Sequence, residues 1–139
     1  MQLTGRCHCG NIAFALRFDP DPERIPARAC DCSFCGKHGG VWTTSPGGSL
    51  WVRSADPERV SHYRFGTGTA DFHVCTSCGV VPIVTSDIEG RLYAVVSVNA
   101  LEGVEEKMLE RAPASFGSES PDARLARRKR SWIANVQFE

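Results

Sequence analysis

The chain has 139 residues, a hydrophobic fraction of 42%, a charged fraction of 23% and a formal net charge of zero. That length and balance predict one globular domain over residues 1–139 and leave little room for a second core. Zero net charge, and the lack of any apolar run near the roughly 20 residues of a membrane span, argue against nucleic acid or a membrane as partner.

Taken in chain order, Met1-Gln2-Leu3-Thr4-Gly5-Arg6 has no apolar stretch behind its charge. It is not read as a signal peptide, and the chain is expected in a reducing cytoplasm. Ile12, Phe14, Leu16 and Phe18 alternate with smaller or polar residues, which predicts a half-buried strand over 11–18. Asp19-Pro20-Asp21-Pro22 ends it in a loop. Residues 41–44 and 50–53 read as strands about the turn Pro46-Gly47-Gly48, and further strands are expected at 61–65, 71–74, 80–85 and 92–98. Short helices are predicted at 105–111 and at 121–130, the second with Pro121 in its first turn. The fold class is therefore mainly β with minor helices.

Trp42 and Trp51, on strands, are expected in the core, with a place in the lining of a ligand pocket as the alternative. Trp132, Ile133, Val136 and Phe138 are expected to dock the tail or serve an interface. Arg124, Arg127, Arg128, Lys129 and Arg130 read as a solvated helix whose last turn favours positive charge. A nucleic-acid or partner-binding patch is the alternative, disfavoured because Trp132 is the one aromatic interleaved with it.

Seven cysteines need a reason. An odd number without an export signal argues against a disulfide framework. They also cluster, as Cys7 and Cys9, as Cys30, Cys32 and Cys35, and as Cys75 and Cys78. Clustering of this kind points to metal. In an extended strand, residues i and i+2 face one side, so Cys7-His8-Cys9 aims two sulfurs at one ion and His8 away from it. Cys75-Thr76-Ser77-Cys78-Gly79 suits a tight turn presenting two more. The two clamps together make a closed tetrahedral four-thiolate site, the structural kind of zinc, with Gly10 and Gly79 easing the turns.

Cys30-Asp31-Cys32-Ser33-Phe34-Cys35 then offers three thiolates to a second ion, leaving a fourth position open, as in catalytic zinc. His38 could close that position, or could meet a substrate beside it, and three unmetallated thiols are the remaining option. Asp31 and Ser33 are placed to hydrogen-bond around this loop. His62 and His73 lie in strand patterns with no partner cluster in sequence and are taken as ordinary strand residues.

Gly5-Arg6-Cys7-His8-Cys9-Gly10, then Cys30-Asp31-Cys32-Ser33-Phe34-Cys35 with Gly39-Gly40, then Val74-Cys75-Thr76-Ser77-Cys78-Gly79, resembles the glutathione-dependent formaldehyde-activating enzyme family, which includes centromere-protein-V-type members. The likeness orders all seven cysteines and runs from Gly5 to about Leu101. It implies a β-tent fold with two Zn2+ per chain: a structural ion on Cys7, Cys9, Cys75 and Cys78, and a catalytic ion on Cys30, Cys32 and Cys35. It also implies carbon–sulfur lyase chemistry of the S-(hydroxymethyl)glutathione synthase type, with glutathione or a similar small thiol and formaldehyde or a similar small aldehyde as partners.

Charge favours a thiol at such a site. A zinc dication with three thiolates carries about −1, so it activates water less than zinc held by neutral histidines. A soft ion of this kind suits an incoming sulfur, which it deprotonates. A fourth thiolate and the carboxylates of glutathione then call for cations, and Lys37 and His38 are the nearest in sequence. Two functions from different classes follow. One is a thiol–aldehyde enzyme or carrier; the other is a non-catalytic zinc-stabilised binding module.

Overall fold

The computed structural model spans Met1–Glu139. Eleven strands and two short helices follow one another: β1 (Gln2–Arg6), β2 (Ile12–Arg17), β3 (Ile25–Cys30), α1 (Ser33–His38), β4 (Val41–Thr43), β5 (Ser49–Ser54), β6 (Val60–Tyr63), β7 (Asp71–Cys75), β8 (Ile83–Ile88), β9 (Arg91–Ser97), β10 (Leu109–Ala114), α2 (Pro121–Ser131) and β11 (Asn135–Phe138). Four strands form one sheet in the order β1-β2-β5-β11, and seven form a second in the order β10-β3-β4-β9-β8-β7-β6. This is the mainly β, tent-like architecture anticipated from the sequence.

Alternation explains the core. On β2, Ile12, Phe14 and Leu16 are buried, and on β5 so are Leu50 and Val52. They pack with Ile83, Ala94 and Val96 from the seven-stranded sheet into one cluster of 18 residues between the sheets. Leu16, Leu50, Ile83 and Ile133 are fully shut off from water, and each such side chain stabilises by about 1.5–3 kcal/mol in apolar transfer. The intervening residues Val84, Tyr93 and Val95 point to the opposite face, where they join Phe72, Trp132 and Cys35 in a second cluster. A sheet buried on both faces needs apolar residues at successive positions, which is why 92–98 reads as nearly continuous hydrophobic sequence.

Helix α2 covers that second face. The Ser120 hydroxyl caps it by accepting from the Ala123 N–H at 3.1 Å, with Pro121 at the first position. Its far end is fastened by the Thr44 hydroxyl, which donates to the Ser131 carbonyl at 2.8 Å, and by reciprocal backbone bonds between Ala94 and Ile133. No helix is long and apolar enough to cross a membrane.

Several expectations change. The helix predicted at 105–111 is a single 3-10 turn at Glu106–Met108 that leads into β10. Parallel pairing of Leu109–Ala114 with Ile25–Cys30 takes up the backbone there instead. As an outermost strand, β10 tolerates Pro113. Strands β1, β3 and β11 and helix α1 were not anticipated. The tail does dock, as β11 running parallel to β5. Trp51 is half-buried on the face of β5 opposite Leu50 and Val52, outside the core, whereas half-buried Trp42 packs against the second cluster.

Candidate metal centre and its cavity

The first cluster is built by two similar turns. After β1, the Cys7 N–H donates to the Ile12 carbonyl at 2.9 Å and the Gly10 N–H to the Cys7 carbonyl at 3.0 Å. After β7, the Cys75 N–H donates to the Val80 carbonyl at 3.0 Å and the Gly79 N–H to the Cys75 carbonyl at 2.7 Å. Gly10 and Gly79 both have positive φ, 86° and 79°, a conformation that favours glycine. Cys7 and Cys9 are thus brought to one side by a turn and not by strand alternation, since β1 ends at Arg6. His8 is exposed, away from the sulfurs.

All four sulfurs of Cys7, Cys9, Cys75 and Cys78 lie within 4.8 Å of one another. Cys7 and Cys9 are 3.8 Å apart, and Cys9 and Cys75 are 3.5 Å apart. A tetrahedral zinc with bonds of about 2.3 Å sets its sulfurs about 3.8 Å apart, so the donor set fits that ion. The Ile12 N–H also donates to the Cys7 sulfur at 3.3 Å. Cys7 and Cys75 belong to the main core, whereas Cys9 reaches the surface.

The second cluster forms where β3 passes into α1. Cys30 ends the strand, and Cys32 caps the helix, its sulfur accepting from the Cys35 N–H at 3.4 Å. The sulfurs of Cys30, Cys32 and Cys35 lie within 4.8 Å of one another, and no histidine or carboxylate completes the group. The indole Nε1–H of Trp42 donates to the Cys35 sulfur at 3.4 Å. Gly40 permits this approach: a Cβ there would lie 3.1 Å from both the Cys35 sulfur and Trp42 Nε1. Cys30 is pushed down to about 6 because Cys35 donates a hydrogen bond to it, and Cys35 is raised for the same reason. None of the seven cysteines forms a disulfide.

These three thiols open into a cavity of about 270 Å³ between the seven-stranded sheet and α2. Trp42, Phe65, Phe72, Phe116 and Trp132 line it, and so do Arg28, Arg124, Arg127 and Arg128. Arg127 makes a two-pronged ion pair with Glu119, at 2.8 and 3.1 Å, and lies 3.6 Å above the Phe116 ring. Arg124 reaches the same carboxylate at 3.6 Å. Glu119 is held below the usual carboxylate range, chiefly by its hydrogen bond from Arg127.

The structure leaves Lys37 and His38 on the exposed last turn of α1, outside the lining of this cavity; the His38 ring packs against Phe34 at 4.4 Å. The cations that do line it come from β3 and from α2. The basic helix is therefore not simply a solvated face, because Arg128 is buried and Arg124 and Arg127 are partly so. A signal was present in the sequence: Arg124, Arg127, Arg128 and Ser131 are spaced three, one and three apart, which places them on one side of a helix. His62 and His73 are strand residues that face one another on β6 and β7. Their rings sit 4.5 Å apart, and buried His73 bonds the Thr85 hydroxyl at 2.7 Å.

The family model of the glutathione-dependent formaldehyde-activating enzyme matches residues 2–115. The crystal structure of a Rhodobacter sphaeroides protein is similar, with a TM-score of 0.62 and 31% identity over 81% of this chain and 99% of that one. No curated protein sequence matches the chain.

Proposed function

Because this chain belongs to the glutathione-dependent formaldehyde-activating enzyme family, we propose that it joins a small thiol of the glutathione type to a small aldehyde such as formaldehyde. The observation that carries this reading is the asymmetry of its cysteines. Four gather at a closed centre, and three gather where their sulfurs open into a cavity. Zinc held by Cys30, Cys32 and Cys35 would supply a coordination position at which a thiol loses its proton.

The chain's own groups supply the rest. The Trp42 N–H bonded to Cys35 draws charge from that sulfur, which favours binding of one more anion nearby. The aromatic walls exclude water from the reacting pair and hold it in a restricted orientation. In the reaction, sulfur forms a bond to the aldehyde carbon. The carbonyl π pair moves to oxygen, and the proton lost by the thiol ends on that oxygen, giving an S-hydroxymethyl adduct. Arginine side chains in the wall offset the negative charge that a carboxylate-bearing thiol brings.

The test is the rate of S-hydroxymethyl adduct formation from formaldehyde and thiol, followed by NMR against the reaction without protein. Acceleration that disappears in Cys32→Ser supports the reading. No acceleration and no thiol binding would remove it in favour of a zinc-stabilised binding module.

A further inference from the structure

We propose that the cavity selects a thiol whose far end carries an anionic group, with an apolar body between, and that Arg128 receives that anion; this rests on the thiol-binding reading above. Arg128 is 8% exposed and lines the cavity. Its Nη1 donates to the Thr69 hydroxyl at 2.9 Å, the Ser86 hydroxyl at 3.2 Å and the Thr69 carbonyl at 3.4 Å, all neutral acceptors. Its Nε is buried with no partner at all.

No carboxylate of the chain pairs with this guanidinium. Glu119, the one acidic group close enough to act on it, is engaged by Arg124 and Arg127. Two guanidinium groups thus share one carboxylate, and the third on that side of α2 has none. Burial, followed by the charge of Arg127 and then of Arg124, lowers the pKa of Arg128 to about 10, which leaves it protonated at neutral pH. A buried cation without a counter-ion is costly, and an anionic ligand would offset that cost. The centroid of the Trp132 ring lies 5.0 Å from the guanidinium carbon, but a ring face offsets only a small part of the cost of burying a charge. A purely structural tie between α2 and the Thr69 segment therefore leaves the cation without a counter-ion.

The rest of the wall fixes the body of the ligand. Trp42, Phe65, Phe72, Phe116 and Trp132, with Val84 and Val95, offer aromatic and aliphatic surface, which an apolar or aryl segment fills better than a hydrophilic peptide. Helix α2 lies beyond residue 115, where the match to the family model ends. The wall that reads the far end of the thiol therefore comes from sequence outside that match.

Calorimetric titration of the protein as purified tests this with 4-(mercaptomethyl)benzoate, its methyl ester, glutathione, and the thiol-free pair 4-methylbenzoate and 4-methylbenzamide. The free acid of the thiol is expected to bind at least about tenfold more tightly than the ester, the scale of a charge-assisted hydrogen bond. Arg128→Gln is expected to remove that preference, read as the ratio of acid to ester affinity within each variant, whereas Arg128→Lys keeps part of it. Equal affinities for acid and ester, or a preference that survives in Arg128→Gln, would overturn the anion site, and tighter binding of glutathione than of the aryl thiol would overturn the apolar body. If no thiol binds, the reading under Proposed function fails; preference for 4-methylbenzoate over its amide then still upholds the anion site, and its absence refutes it. Should Arg128→Gln fail to fold, the same acid–amide comparison in the wild type and Arg128→Lys decides.

Discussion

The two cysteine clusters use the same ligand atom, yet their surroundings differ. In the four-cysteine cluster, two backbone turns from different sheets converge, and Cys7 and Cys75 are part of the core that joins those sheets. Its tetrahedral donor set is complete. In the three-cysteine cluster, all ligands come from one strand-to-helix passage six residues long, and their sulfurs line a cavity. The first ties distant parts of the chain together, so an ion there supplies folding free energy. The second spans no long loop, so an ion there would contribute little to the fold, and its sulfurs face the cavity. On the proposed function, sequence distance between ligands, more than ligand chemistry, would separate the structural from the working site.

The largest expected effect comes from breaking one ligand in each cluster. Cys75→Ser removes a ligand from the structural centre and is expected to cost more than about 5 kcal/mol, which unfolds a domain of ordinary stability. Cys32→Ser is expected to cost at most about 1–2 kcal/mol, because serine is itself a good helix cap at that position. Thermal unfolding followed by circular dichroism measures both. Similar losses from the two substitutions would erase the distinction.

A smaller effect sharpens it. Trp42→Phe removes the indole N–H from the Cys35 sulfur at the cost of about 1 kcal/mol, or roughly fivefold in metal retention. Competition with a chelator should show weaker retention at the three-cysteine cluster and none at the other. A change at both clusters would mean that Trp42 acts through the fold as a whole.

Much of this contrast was legible in the sequence. The grouping of cysteines in twos and threes announced two centres, and period-two alternation located the strands that carry the core, from Ile12 to Leu16 and from Leu50 to Val52. What escaped was decided by long-range pairing. Residues 105–111 carry helix-forming side chains, but from Leu109 onward β3 offers the chain a partner strand. Strand β1 is short and polar, and only its pairing with β2 makes it a strand. Proximity in sequence points to Lys37 and His38 as the cations, whereas the fold brings α2 across the cavity from nearly 90 positions further on. Helical spacing marked Arg124, Arg127 and Arg128 as one side of a helix, but nothing local says what that side covers.

The division of labour between the clusters is tested most directly by the zinc content of wild type and Cys32→Ser, read by elemental analysis of protein purified without added metal. The account predicts two zinc ions per chain in the wild type, and one in a Cys32→Ser protein that keeps its far-UV spectrum. A Cys32→Ser protein that holds two ions, or that loses its fold along with the second, would contradict it.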